Sequence, residues 1–237
     1  MRRGIVVWVC LALFSCDERV SPRVLVFTKM AGVKHDCISS GKRMIMELGK
    51  KYQFEVDTTS NASYFSDSTL SKYKAVVFLN TTGELLDDHQ QTAFEKFIRA
   101  GNGFVGIHGA ADAEYEWSWY GNLVGAYFRS HSKVLRALFQ RSSNNILTSD
   151  LPDNWYRTEE VFNFQKLPEN VSVLFTVEPN SFEGSEHPEG HPVAWYHNFD
   201  GGRSFYTSMG HTEDAYNDSF FQQHVLKGIQ FAIMDNP

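Results

Sequence analysis

The sequence predicts an α/β fold: a doubly wound, flavodoxin-like and mainly parallel sheet with an added antiparallel hairpin. Three observations predict it. Several short β-rich runs are apolar without polar alternation, as strands covered on both faces must be. Amphipathic helical stretches separate them in units of roughly 25–30 residues, long enough for βαβ crossovers. Late in the chain, two strand-like runs flank Asp200-Gly201-Gly202, a hairpin signal.

Taken in order, Arg23–Thr28 is the first buried strand and Ser39–Lys51 the first amphipathic helix. Phe54–Asp57 forms a second short strand, Asp67–Tyr73 a helical turn, and Lys74–Asn80 another buried strand. Asp87 and Asp88 supply the acidic start a helix prefers; Gln90–Ala100 then places Phe94, Phe97 and Ile98 on one face, and Gly101 ends it. Gly103–His108 is the fourth strand. The second half reads as strands at Lys133–Gln140, Val171–Val177, Pro192–Asn198 and Arg203–Ser208, closed by a helix over Phe220–Met234. No linker splits this stretch, so residues 24–237 are expected to form one domain.

At 42% hydrophobic and 21% charged, the 237 residues have the profile of a globular domain with a substantial core. Met1-Arg2-Arg3 followed by the apolar run Ile5–Phe14 reads as an export signal over residues 1–15, too short for a typical membrane span. The ending Leu13-Phe14-Ser15-Cys16 resembles a bacterial lipobox, in which Cys16 becomes the lipid-bearing first residue and residues 16–23 a tether. The expected product is an exported lipoprotein, anchored at the periplasmic face of a membrane or at the cell surface. Loss of Arg2 and Arg3, with no acidic residue, moves the formal charge from −6 to −8, which argues against nucleic acid as partner. Of Cys10, Cys16 and Cys37 only Cys37 remains in the folded part, so no intrachain disulfide forms, and Cys37 reads as a packing residue.

Open α/β sheets bind ligands beyond the carboxyl ends of their strands. That rule selects Lys29, His35 and Asp36 after the first strand, Asn80–Thr82 after the third, and His108, Gly109, Asp112 and Glu114 after the fourth. Gly106-Ile107-His108-Gly109-Ala110 has the small flanking residues of a nucleophile elbow, but imidazole suits a base, acid or metal ligand better than an acyl-accepting nucleophile. His131, His191, His211 and Glu160 join from the second half. His108, His211 and Glu160 are the catalytic candidates; His35, Asp112, Trp117, His191 and Arg203 are the substrate-binding candidates. His35, His108, His131 and Glu160 are the candidate ligands of a divalent metal such as zinc, three imidazoles and a carboxylate being a zinc-type set. Tyr115, Trp117, Trp119 and Tyr120 either stack on a sugar or pack a loop on the core, and Arg203 either orients a substrate carboxylate or pairs with Asp200 across the hairpin.

The segments Lys34-His35-Asp36, Gly103–Ala110, Thr158-Glu159-Glu160, His191–Trp195 and Gly202–His211, in this order, resemble the ThuA-like (trehalose utilisation) family. The resemblance runs from about Val24 to Met234 and implies the class I glutamine amidotransferase-like fold. His108 stands where that fold's cysteine nucleophile would be, so glutamine hydrolysis is not expected. Relatives accompany oxidoreductases that make 3-keto sugars, which implies a carbohydrate-catabolic enzyme acting on a keto-sugar or keto-glycoside by hydrolysis, elimination or isomerisation. Where relatives often carry Trp-Tyr after the acidic pair, this chain has Val161-Phe162. A carbohydrate-binding lipoprotein without turnover is the alternative, and a conventional glycosidase pairing Glu160 with Asp112 or Glu114 a third reading.

Overall fold

A computed structural model describes residues 21–188 and 190–234; the expected signal segment and Cys16 lie outside the described residues. The strands are β1 (Arg23–Phe27), β2 (Glu55–Thr59), β3 (Ala75–Leu79), β4 (Gly103–Ile107), β5 (Phe128–His131), β6 (Leu135–Arg141), β7 (Asn154–Glu159), β8 (Phe162–Phe164), β9 (Ser172–Val177), β10 (Pro192–Phe199) and β11 (Gly202–Thr207). The helices are α1 (Ile38–Tyr52), α2 (Asp67–Leu70), α3 (Asp88–Arg99), α4 (Ser118–Val124) and α5 (Ser219–Ile233).

Nine strands form one sheet in the order β2-β1-β3-β4-β11-β10-β9-β6-β7. From β2 to β11 the pairings are parallel, and from β11 to β7 they are antiparallel. Only β10 and β6 run against the other seven strands, so the fold is the mainly parallel α/β sheet expected, and the hairpin β10–β11 is part of the main sheet rather than an appendage. β5 and β8 form a separate antiparallel pair. The sequence reading missed α4, β5, β7 and β8, and placed β6 two residues early at its start.

The absence of alternation in β1, β3 and β4 has the expected cause, since both sheet faces are covered. Val24, Val26, Val77 and Ile107 face one core layer with residues of α1 and α5. Leu25, Phe27, Phe78 and Phe104 face the other, with residues of α2, α3 and α4. The second layer is aromatic: Phe78 lies 5.4 Å from both Phe94 and Phe104, and Phe27 4.7 Å from Phe65. Each fully buried Phe stabilises by roughly 1.5–3 kcal/mol, so these layers hold the strand ends rigidly. A capping box of Asp87 and Gln90 starts α3, and Gly101, at φ +93°, lets the chain turn back into β4.

Candidate active site at the strand ends

The site starts at the β4 end, where His108 is buried and holds a left-handed backbone with φ +49°. A side chain there costs about 1 kcal/mol or more, a strain that recurs at functional positions. Close packing around the turn requires its small neighbours. A Cβ on Gly106 would meet Tyr206 at 2.9 Å, and one on Gly109 would meet the Thr81 carbonyl at 3.0 Å. The elbow geometry read from the sequence is thus present.

His108 Nδ1 lies 2.7 Å from the Ser208 carbonyl oxygen. A carbonyl only accepts, so Nδ1 carries the hydrogen and a neutral His108 turns the lone pair of Nε2 outward. Nε2 lies 3.1 Å from His211 Nδ1 and 3.4 Å from Glu160 Oε2. His211 Nδ1 is also 3.3 Å from Glu160 Oε2, while His131 Nδ1 faces Glu160 Oε1 at 3.0 Å and the Ser132 carbonyl at 2.8 Å. Glu160 therefore joins all three imidazoles. His35 completes the group, its ring centre 5.1 Å from that of His108 and 5.7 Å from that of His211. The loop carrying His35 is pinned by Thr82, whose carbonyl accepts from Ala31 and Gly32 N–H and whose hydroxyl donates to Val33 O.

Burial, reinforced by the like charges of His108 and His211, pushes His35 down to about 4. Burial and His108 likewise lower His211, so both rings are neutral at pH 7. Burial pushes Glu160 up, but the neighbouring imidazoles, His108 first and then His211 and His131, outweigh it and hold the carboxyl below its usual range. Two neutral imidazoles beside an ionised carboxylate suit cation binding and proton transfer. Among the described residues, His35, His108 and His211 offer ligand atoms that all lie within 4.8 Å of one another. His35 Nδ1 is buried and has no hydrogen-bond partner. This donor set fits a divalent ion. It differs from the expected set of His35, His108, His131 and Glu160: His211 belongs to the cluster, and His131 and Glu160 do not.

Other candidates fall around or away from this centre. Asp112 accepts from Tyr115 Oη at 2.6 Å, and burial raises its carboxyl although His108 and His131 pull it down. His191 sits one layer out: its Nε2 donates to Phe162 O at 2.7 Å and its Nδ1 faces Ser185 Oγ at 3.0 Å, while burial lowers it to about 4. Trp117 is buried against Phe94, with Nε1 donating to Glu95. Arg203 lies at the other end of the sheet, beside the start of β4, and donates to the Gly101 and Met234 carbonyls. Of the aromatic run, Tyr120 is fully buried and donates to Ala110 O, and Trp119 donates to Asp200, so both pack rather than line the site. Glu114 spends its carboxylate on Leu85 N, Leu86 N and Gln91, which removes it as a glycosidase partner of Glu160. Cys37 is buried, and burial pushes its thiol up to about 11, in keeping with packing.

Sequence reasoning missed three contributors. The Phe162 ring packs 4.3 Å from that of His108 and forms a wall, the Ser208 carbonyl sets the His108 tautomer, and Glu159 holds the backbone of His211. Phe162 carried a signal as the departure from the relatives' Trp-Tyr.

The sequence pattern of the ThuA family, described as trehalose utilisation, matches residues 23–232. The chain belongs to the ThuA family. A ThuA-like protein of Bacteroides uniformis superposes with a TM-score of 0.78 at 18% identity, covering 94% of this chain and 97% of that one. A ThuA-like protein of Parabacteroides merdae gives 0.75 at 17% identity, with 90% of each chain covered. A cold-adapted β-galactosidase of Rahnella matches with a TM-score of 0.60 at 15% identity, over 90% of this chain and 32% of the enzyme. At these identities the structures show that the ThuA chain shares a fold with them. No curated protein matches the sequence.

Proposed function

We propose that the protein is a carbohydrate-catabolic enzyme acting on a keto-sugar or keto-glycoside by proton transfer beside the ketone. The observation that carries this reading is the convergence of His35, His108 and His211 on one point, with the Glu160 carboxylate against two of the rings. Removing a proton α to a carbonyl needs a base within reach and a charge to receive the developing enolate. Glu160, held ionised and backed by His131, supplies the base. His35, His108 and His211 would hold a divalent cation such as zinc, which when bound polarises a carbonyl oxygen. Membership of a trehalose-utilisation family supports a sugar as substrate. Binding without turnover loses part of its support, because Trp117, Trp119 and Tyr120 are spent on packing.

Cys16 carries a lipid anchor in this reading. β1 begins at Arg23, at the amino ends of the parallel strands, whereas the histidines stand at the carboxyl ends. An anchor seven residues before Arg23 would join the domain at the end of the parallel strands opposite the site. A Cys16→Ser chain recovered in the soluble fraction supports the anchor; one that stays with membranes contradicts it.

The test of the chemistry is deuterium wash-in. Incubation with 3-keto-glycosides in heavy water, with and without zinc, is expected to exchange the hydrogen next to the ketone, and the parent glycosides are expected to stay unchanged. A folded protein that exchanges and converts none of the keto-glycosides sinks the proposal.

A further inference from the structure

We propose that Arg157 and Glu159 form a buried clamp whose task is to set His211 against His108. They are positioning residues, and the inference rests on the reading of His211 as part of the site.

β7 alternates inward and outward, and its inward residues are Trp155, Arg157 and Glu159. The Arg157 and Glu159 side chains are only 3% and 1% exposed. Arg157 Nη2 meets Glu159 Oε1 at 2.5 Å, and Nη1 meets Asp218 Oδ2 at 3.0 Å. The guanidinium lies between two aromatic rings, 4.3 Å from the centre of Trp155 and 4.7 Å from that of Phe221. The Glu159 oxygens then accept from two consecutive backbone amides: Oε1 from Gly210 N at 3.2 Å and Oε2 from His211 N at 3.3 Å. Gly210 adopts φ +109°, a conformation that favours glycine. Its carbonyl is held from the opposite side by Asn80 Nδ2 at 3.3 Å and Tyr216 Oη at 2.8 Å. The peptide that aims His211 is thus fixed on both sides.

Stability alone does not account for the pair, because desolvation of a buried ion pair offsets most of its attraction, and well-packed apolar residues do as well. What the pair supplies is orientation. Glu159 and Glu160, adjacent at the end of β7, divide the work on His211: the first holds its backbone and the second meets its ring. Groups that orient a metal-ligating side chain commonly change metal affinity by 10- to 100-fold when altered.

The experiment is a double-mutant cycle read by cobalt(II) titration of the full chain, using visible absorption, together with hydrogen exchange of backbone amides. Glu159→Gln keeps the volume but loses the charge. It is expected to weaken cobalt(II) binding by about tenfold, and to have less than a twofold effect when His211 is already Ala. An equal loss in both backgrounds, or no loss, overturns the clamp. If Glu159→Gln does not fold, Arg157→Lys is measured in the same cycle with the same two outcomes. Should the unaltered protein bind no cobalt(II), the metal reading fails, and the clamp is decided by exchange: the Gly210 and His211 amides lose protection at least tenfold while β4 amides keep theirs. Unchanged protection at Gly210 and His211 overturns it.

Discussion

Replacing His224 with Leu is expected to stabilise the protein, and to do so more at pH 5 than at pH 7. His224 on α5 is fully buried, neither ring nitrogen has a hydrogen-bond partner, and Phe175, Phe205 and Phe221 surround it. Leaving a polar group buried and unpaired costs about 1–3 kcal/mol, so an apolar residue of similar size removes that cost at pH 7. Burial, with the charge of Arg157, depresses His224 from 6.5 to about 3. A depressed histidine stays neutral in the folded state while the unfolded chain takes up a proton below pH 6.5, so through this residue the fold loses nothing further above that pH and loses stability progressively as pH falls from 6.5 toward 3. At pH 5, 1.5 units below 6.5, the decline is about 2 kcal/mol. His35 and His191, depressed to about 4, act in the same direction and are common to both proteins. Urea unfolding at the two pH values therefore shows a gap between variant and unaltered protein that is about 2 kcal/mol wider at pH 5. A gap of the same size at both values refutes the reasoning.

Gly106→Val drives a branched side chain into Tyr206 and Phe104, which already stand 2.9 and 3.0 Å from a bare Cβ, and lowers stability by about 1–3 kcal/mol in urea midpoints. Arg203→Ala removes a donor to the Gly101 and Met234 carbonyls far from the histidines; melting temperature falls while kcat/KM on a keto-glycoside stays within twofold. Zinc at 100 times its Kd stabilises a folded protein by about 2.7 kcal/mol, a shift that calorimetry detects and that His35→Ala abolishes.

The parallel half was legible because burial on both faces leaves an unbroken apolar run, as in Val24–Phe27 and Ala75–Leu79. β7 was not, although it alternates cleanly, because two of its inward residues are Arg157 and Glu159, and a charge turned inward reads as solvated. β8 has three residues and β5 four, too few for a periodic signal. In the site, the strand-end rule nominated His35 and His108, and the structure brings them to His211 and Glu160. Trp117 and Arg203 were nominated by residue type, and packing takes the first while the amino end of β11 takes the second. Glu159 and the Ser208 carbonyl work through the backbone, which leaves no pattern in side-chain chemistry.

The most direct measurement is turnover of a 3-keto-glycoside by the unaltered protein and by His108→Asn, each with zinc present. Asn tolerates the left-handed backbone at φ +49°, so the variant keeps its fold and loses only the imidazole. The account predicts conversion by the unaltered protein and a rate lower by about 100-fold or more in the variant. Equal rates from the two proteins, or no conversion by either, contradict it.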